Sequence, residues 1–292
     1  MRYVGNVFRP PSEAYSYILQ CTVGCSHNRC TFCAMYKDKK YYIKSMDDIR
    51  SDIKMAKDYY GDLEKVFLAD GDALAMDTDN LLEILELLYK NFPSLNHVGI
   101  YASPDSIIAK ELSELSALRA AGLTIAYLGV ETGHPDLLQE IRKGVTYEEM
   151  VEAGKKIRQA GILLSVTILL GLAGRSERAV DHARMTAKIL NEMNPDYIGA
   201  LTLMLEPPTE LYRKMERGEF EIPGPFEILD EMRIMISGLE VQDSEFRSNH
   251  ASNYLPIKGR FPDDKQKILA LINDIVDSND RRYLRPDYMR AL

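Results

Sequence analysis

The stretch that decides the reading is Cys21-Thr-Val-Gly-Cys25-Ser-His-Asn-Arg-Cys30-Thr-Phe-Cys33-Ala-Met-Tyr36, which holds all four cysteines of a 292-residue chain. Cysteines that staple a secreted fold are spread along the sequence, so this crowding points to a bound group. Three or four thiolates on one flexible loop suit an iron–sulfur cluster, because each iron takes its own thiolate. A four-cysteine zinc site normally uses two separated CxxC knuckles, and only Cys30 and Cys33 form such a pair. A thioredoxin-like dithiol would need two cysteines opening a helix. The order of preference is therefore iron–sulfur, then zinc, then redox dithiol.

Working outward, the apolar run Tyr15 to Gln20 places the cysteines in a loop at the C-terminal end of a first strand. Five further strand-like runs follow: Lys65 to Asp70, His97 to Tyr101, Leu123 to Val130, Ile162 to Leu170 and Tyr197 to Leu205. Helical patterns lie between them. Ser45 caps one that stops at Gly61, a second spans about Asp79 to Lys90, and a third runs from Pro104 to Gly122. Thr146 with Glu149 forms a capping box for a fourth that ends at Gly161, and Ser176 opens a fifth. Six β-then-α units in succession call for a parallel sheet, since parallel neighbours need crossovers of this length. The pattern leaves an open doubly wound sheet and a β/α barrel equally available. In either, the C-terminal ends of the strands carry the site. After Leu205 the rhythm changes, giving residues 1–205 as the core and 206–292 as a C-terminal extension, with a last helix from Asp263 to Val276, packing onto it as one structural domain.

Composition limits the function classes. The chain carries 36 Lys and Arg against 44 Asp and Glu, a net charge of −8, which disfavours non-specific binding to DNA. Hydrophobic residues at 46% and charged residues at 27% exclude wholesale disorder. No apolar run is long enough to span a bilayer, and the first residues lack a signal peptide's apolar stretch. The expectation is a soluble cytoplasmic protein.

On the cysteine triad with Phe32 just before its last member, the sequence resembles the radical S-adenosylmethionine (radical SAM) superfamily, in the branch with coproporphyrinogen oxidase-like, Elongator-catalytic-subunit-like and methylthiotransferase-like members. The usual CxxxCxxC becomes CxxxxCxxC here, as Cys25, Cys30 and Cys33. Cys21, four residues earlier, is a competing first ligand. Gly24-Cys25 resembles the start of the triad in relatives, and Cys21 then reads as a small buried hydrophobe closing the strand.

Further segments fall in the family's order. Asp70-Gly71-Asp72 looks like a variant of the glycine-rich motif that receives the SAM ammonium, although an acidic β-turn reads the same way. Ser103 is a SAM contact or simply the cap of the next helix. By resemblance Glu131 contacts the SAM ribose or amino group, and Arg142 (or Lys143) its carboxylate, as a guanidinium does well. The bland alternative has both basic residues complementing a helix C-terminus. Gly171 to Gly174 would lie near the adenine, with Tyr36 lining the same pocket. The resemblance covers Tyr15 to Leu205 and turns the fold expectation into an α/β partial (β/α)6 TIM-like barrel of parallel strands with a C-terminal helical extension.

The resemblance implies two cofactors, a [4Fe–4S] cluster and SAM. Three cysteines leave one iron open for SAM, and an electron from the cluster then yields a 5′-deoxyadenosyl radical that abstracts hydrogen from a substrate, an oxidoreductase chemistry. The acidic net charge favours a small-molecule substrate over a macromolecule, and the chemistry calls for a reducing protein such as flavodoxin or ferredoxin. Four cysteines in one loop leave none for an auxiliary cluster, and Cys33 is followed by Ala34-Met35 rather than by the further cysteine of coproporphyrinogen oxidases. The segment Phe246 to Pro256 concentrates Arg247, Asn249, His250 and Asn253, as substrate contacts or as a hydrogen-bonded closing loop. The remaining histidines, His27, His97, His134 and His182, form no metal-ligand spacing. The competing functions are an iron–sulfur electron carrier, with Cys21 as fourth ligand, and a zinc-stabilised binding protein.

Overall fold

The computed structural model describes residues 2–291. The chain enters β1 (Tyr17–Gln20) and then a short ribbon of β2 (Thr22–Val23) and β3 (Tyr42–Ile43), which pair antiparallel and bracket the cysteine loop. Helix α1 (Met46–Tyr60) follows as the cap predicts: the Ser45 hydroxyl accepts the Asp48 amide at 3.1 Å, and Gly61 ends it at φ +72°, a conformation that glycine enters without a Cβ penalty. Ile49, Ile53 and Ala56 at helical spacing form its buried stripe.

The chain continues through β4 (Lys65–Ala69), α2 (Thr78–Asn91) and β5 (His97–Ala102). The single helix expected over Pro104 to Gly122 is instead two, α3 (Pro104–Ile108) and α4 (Leu112–Ala120). The break has a tertiary cause. Lys110 is drawn inward, its ammonium donating to the Met76 carbonyl at 2.7 Å and the Thr78 hydroxyl at 3.2 Å, and a new capping box starts at Glu111 with Glu114.

Next come β6 (Ile125–Glu131), α5 (Pro135–Glu140), α6 (Tyr147–Gln159), β7 (Leu163–Leu170), α7 (Arg178–Met193) and β8 (Tyr197–Thr202). Both hydrogen bonds of the Thr146–Glu149 capping box are made. Ser176 does not cap α7; Glu177 is its first flanking residue, and the Ser176 hydroxyl donates to the Ala173 carbonyl. The segment after 205 supplies α8 (Glu210–Glu216), α9 (Pro225–Gly238), β9 (Ser244–Arg247), β10 (Lys258–Phe261) and α10 (Lys265–Ser278), so it adds two strands to its helices.

Eight strands form one mostly parallel sheet in the order β1-β4-β5-β6-β7-β8-β9-β10, the arrangement of a partial TIM-like barrel; the pairings β1–β4, β4–β5, β5–β6, β7–β8 and β8–β9 are parallel, and β10 returns antiparallel on β9. The chain forms two compact units. One comprises residues up to Asn28, Met35–Leu128 and Glu152–Leu164; the other comprises Arg29–Ala34, Gly129–Val151 and everything from Ser165 onward. The core of the first is built from Leu19, Val66, Phe67, Leu68, Val98 and Ile100 on the strands with Ile49, Ile84 and Leu88 on the helices. In the second, Phe246 and Phe261 stack 5.5 Å apart on the strand face that α10 covers with Ile268, Ile272 and Ile275. No helix among the described residues is long and apolar enough to cross a membrane.

Candidate active site

Three of the cysteines differ sharply from the fourth. Cys25, Cys30 and Cys33 are half-buried, whereas Cys21 is fully enclosed, its thiol directed at the Leu19 carbonyl. Burial pushes the Cys21 thiol up to about 12, with the nearby Lys44 charge opposing and Asp52 adding to it. Metal ligation needs a thiolate, which burial disfavours at Cys21. It lies in the core, where its bland reading puts it.

Within the first unit the loop is fastened at its base. Asp70 follows β4 and is wholly buried; one of its oxygens accepts from the Lys39 ammonium at 2.8 Å, from the Gln20 amide at 3.0 Å and from the Gly24 backbone N–H at 3.2 Å. Lys39 also lies 5.4 Å above the Tyr36 ring. Asn28 donates from its side chain to the Tyr36 carbonyl at 2.7 Å, closing the turn. The other Asp70 oxygen, Oδ1, is buried with no hydrogen-bond partner.

Asp72, two residues on, is the hub of a hydroxyl network. It accepts from Ser26, beside Cys25, from the Ser103 hydroxyl at 2.8 Å and backbone N–H at 3.0 Å, and from Ser106 at 2.7 Å. Burial lifts its pKa above the ordinary carboxylate value, and the hydroxyl bonds offset that only in part. Ser103 is thus both the N-cap of α3 and an Asp72 partner, which meets its default role and leaves its hydroxyl committed. Tyr41, pushed up to about 12 by burial, with Asp72 and Cys25 adding to it, stands over the same turn.

Gly71 sits between these carboxylates, and its lack of a side chain is required. A Cβ there would fall 2.6 Å from the Tyr36 ring and 3.0 Å from the Cys25 Cβ. The first thiol of the triad therefore rests directly over the Asp70-Gly71-Asp72 turn, beside buried Tyr36.

In the second unit Thr31 donates its N–H to the Ile141 carbonyl and accepts from the Leu211 N–H, both at 2.9 Å. Phe32 packs against Ile141, Leu169, Leu172, Leu203 and Leu211. This fixes the segment from which Cys30 and Cys33 project. Glu131 ends β6 at φ +65°, and its carboxylate folds back so closely over Gly129 that a Cβ there would be 2.2 Å away. Lys143 pairs with Glu131 at 3.0 Å, both side chains about 12% exposed. Arg142 instead reaches Glu210 at 2.7 Å on the surface, since its own φ of +55° turns neighbouring side chains apart. Of the two basic residues it is Lys143 that the fold joins to Glu131.

Gly171 (φ +84°) donates its N–H to the Glu231 carboxylate of α9 at 2.9 Å, and that carboxylate lies 3.0 Å from His182. Sequence reasoning missed Lys39, Ser26, Ser106, Glu231 and His182, whose partners lie at least 31 residues away along the chain. The loop at His250–Asn253 is held by hydrogen bonds. Asn253 bonds Thr202 and the Ala200 carbonyl, while Arg285 gathers the carbonyls of His250, Ala251 and Asn253.

A family model described as the radical SAM superfamily matches residues 19–186. The chain belongs to the radical SAM superfamily. Among curated relatives, the heme chaperone HemW of Bacillus subtilis (strain 168) is 24% identical over 240 residues, covering 78% of this chain and 60% of its own length. The tRNA uridine(34) acetyltransferase of Methanocaldococcus jannaschii is 27% identical over 123 residues, covering 42% of this chain and 22% of its own. Among solved structures, coproporphyrinogen III oxidase (HemN) from Escherichia coli, a radical SAM enzyme, superposes with a TM-score of 0.60 at 19% identity over 76% of this chain and 51% of that one, a likeness of fold. The chain spans about 60% of the HemW relative's length.

Superfamily membership brings an expected [4Fe–4S] cluster and SAM, and the residues present suit both. Among the described residues no three His, Cys, Asp or Glu side chains converge as a preformed ion site, so the cluster's fit rests on donor chemistry: three half-buried thiols within nine residues of chain. SAM's fit rests on the buried unpartnered Asp70 Oδ1 and on the Gly71 cradle against Cys25 and Tyr36.

Proposed function

We propose that the protein is a radical SAM enzyme in which Cys25, Cys30 and Cys33 hold a [4Fe–4S] cluster and Cys21 does not. When bound, cluster and SAM supply a 5′-deoxyadenosyl radical for hydrogen abstraction from a substrate. The observation that carries the reading is the close approach of Cys25 to Gly71, the residue after Asp70, whose buried Oδ1 has no hydrogen-bond partner. Asp70 Oδ1 would accept from the SAM ammonium, and Lys39 holds that aspartate in place. Asp72 holds Cys25 through Ser26 and spends its own hydrogen-bonding capacity doing so. Glu131 would receive the ribose or amino group, with Lys143 rather than Arg142 supplying the adjacent cation. The Gly171 turn, fixed by Glu231, would border the adenine. Tyr36 and Phe32 exclude water around the thiols. A small-molecule substrate, a flavodoxin- or ferredoxin-like electron donor and the reducing cytoplasm complete the reading.

Adding SAM to the dithionite-reduced, reconstituted protein should change the electron paramagnetic resonance spectrum of the cluster, because SAM binds the iron that no cysteine holds. An unchanged spectrum at saturating SAM would show that every iron is protein-ligated and favour an electron carrier. The relation to HemW supports a second reading, in which the barrel handles haem without turning over SAM. Stoichiometric haem binding without SAM cleavage is its signature.

A further inference from the structure

The exposure of β7 to β9 alternates with period two. Ile198, Ala200, Thr202, Ser244 and Phe246 are buried on one face, while Ser165, Thr167, Tyr197, Gly199, Leu201, Glu245 and Arg247 are half-exposed on the other. The buried face includes Phe246 and Phe261 and is covered by α10, so the half-exposed face is the one without that helix. Such a face inside a filled barrel would be packed by large side chains. Here it is polar and open.

Register lines up its members. Thr167 pairs with Gly199, Gly199 with Arg247, and Arg247 with Lys258 of β10. At Gly199 an added Cβ would meet nothing closer than 3.6 Å, so the row has a notch between Thr167 and Arg247. Arg247 and Lys258 stand directly opposite each other, an arrangement of like charges that costs a sheet stability. Their neighbours do not balance them. Glu245 takes Arg247 at 2.5 Å, Asp243 takes Arg260, and the Lys258 ammonium has no ion-pair or hydrogen-bond partner among the described residues. Asp263 also acts on Arg260, so the row's unanswered group is the Lys258 ammonium itself rather than a net charge. Two residues further along the strands, about 7 Å away, Leu169 and Leu201 form the next row and belong to the apolar cluster that holds Phe32.

We propose that the Thr167–Gly199–Arg247–Lys258 row binds the carboxylate of the substrate, with the apolar body of the molecule lying against Leu201 and Leu169. A single negative charge gives the Lys258 ammonium a partner, and a planar carboxylate matches the guanidinium fork of Arg247 beside the side-chain-free position at Gly199. The Glu245 contact that it displaces is a half-exposed pair between residues two apart on one strand, the kind that contributes little. This deepens the radical-enzyme reading and rests on it only in calling the ligand a substrate.

The test uses the full, anaerobically reconstituted chain, reductively methylated at lysine with 13C-formaldehyde; the Lys258 signal is identified by its loss in Lys258→Met. Titration with hexanoate should shift that signal saturably, and hexanamide, equal in shape but uncharged, should not. Arg247→Met and Gly199→Val should each weaken hexanoate by about tenfold or more. Valine fits a strand and the space at 199 sterically, so its effect reads the notch rather than the fold, and Arg247→Met decides the matter should that variant not fold. Equal response to hexanamide, a non-saturating shift, or hexanoate binding indifferent to Arg247→Met overturns the proposal. Measuring 5′-deoxyadenosine on the same sample separates the two readings: its formation without hexanoate binding sinks only the carboxylate site, whereas binding without its formation leaves that site standing.

Discussion

Replacing Cys21 by alanine separates the two possible ligand sets. Cys21 has no exposed surface, and its backbone bonds, from its N–H to the Ala69 carbonyl and from the Lys44 N–H to its own carbonyl, survive the change. What is lost is one sulfur from a closed core, equivalent to about one or two methylenes, so the cost is about 1–2 kcal/mol including the small cavity. For a chain of this size that lowers the melting temperature by roughly 2–6 °C. Iron content and the absorbance at roughly 400 nm should stay at wild-type values, whereas Cys25→Ala, Cys30→Ala and Cys33→Ala should each lose them. Alkylation of the cluster-free chain gives an independent reading. With its pKa near 12, only about one Cys21 thiol in ten thousand is ionised at about pH 8, so native iodoacetamide should label the other three and spare it. A folded Cys21→Ala protein that cannot hold iron, or rapid native labelling of Cys21, would refute the reasoning.

Three more outcomes follow from named contacts. Gly71→Ala drives a methyl into Tyr36 and Cys25, so cluster incorporation should fall severely while far-ultraviolet circular dichroism stays unchanged; full iron loading in that variant would contradict the cradle. Glu131→Gln leaves Lys143 half of a largely buried pair and should cost about 1–3 kcal/mol in urea unfolding together with SAM affinity, while Arg142→Ala, at an exposed pair, should cost about 0.5 kcal/mol or less and leave SAM binding intact. Burial, aided by Arg285, depresses the His250 pKa below its ordinary 6.5. The folded chain therefore binds fewer protons than the unfolded one, and the stabilisation present above 6.5 is lost as pH falls through that value. His250→Gln should flatten the decline in melting temperature between about pH 7.5 and about pH 5.5; an identical decline would exclude His250 as its source.

Local signals were readable where local chemistry decides the structure. Ser45 and Gly61 bound α1 as expected, the Thr146–Glu149 box forms, and each of the six apolar runs contains a strand. Misreadings arose where a distant residue intervenes. Lys110 is pinned by carbonyl and hydroxyl groups over 30 positions earlier, which splits one expected helix into two. Strands β9 and β10, four residues each and rich in charge, lack the apolar run that marked the others; their pairing partners, not their composition, make them strands. At the site, the acidic turn at 70–72 was visible, but the use of its two carboxylates was not: Asp70 is claimed by Lys39, and Asp72 by three serines from two separate segments. Arg142 and Lys143 are adjacent and chemically alike, and only the left-handed backbone at 142 decides which one meets Glu131.

The most direct measurement is 5′-deoxyadenosine formation by the anaerobically reconstituted protein with SAM and dithionite, alongside Cys30→Ala and Cys21→Ala. The account predicts product from wild type and from Cys21→Ala and none from Cys30→Ala. A fully loaded wild-type cluster that yields no 5′-deoxyadenosine, with and without extract of the source cells to supply substrate, would contradict it.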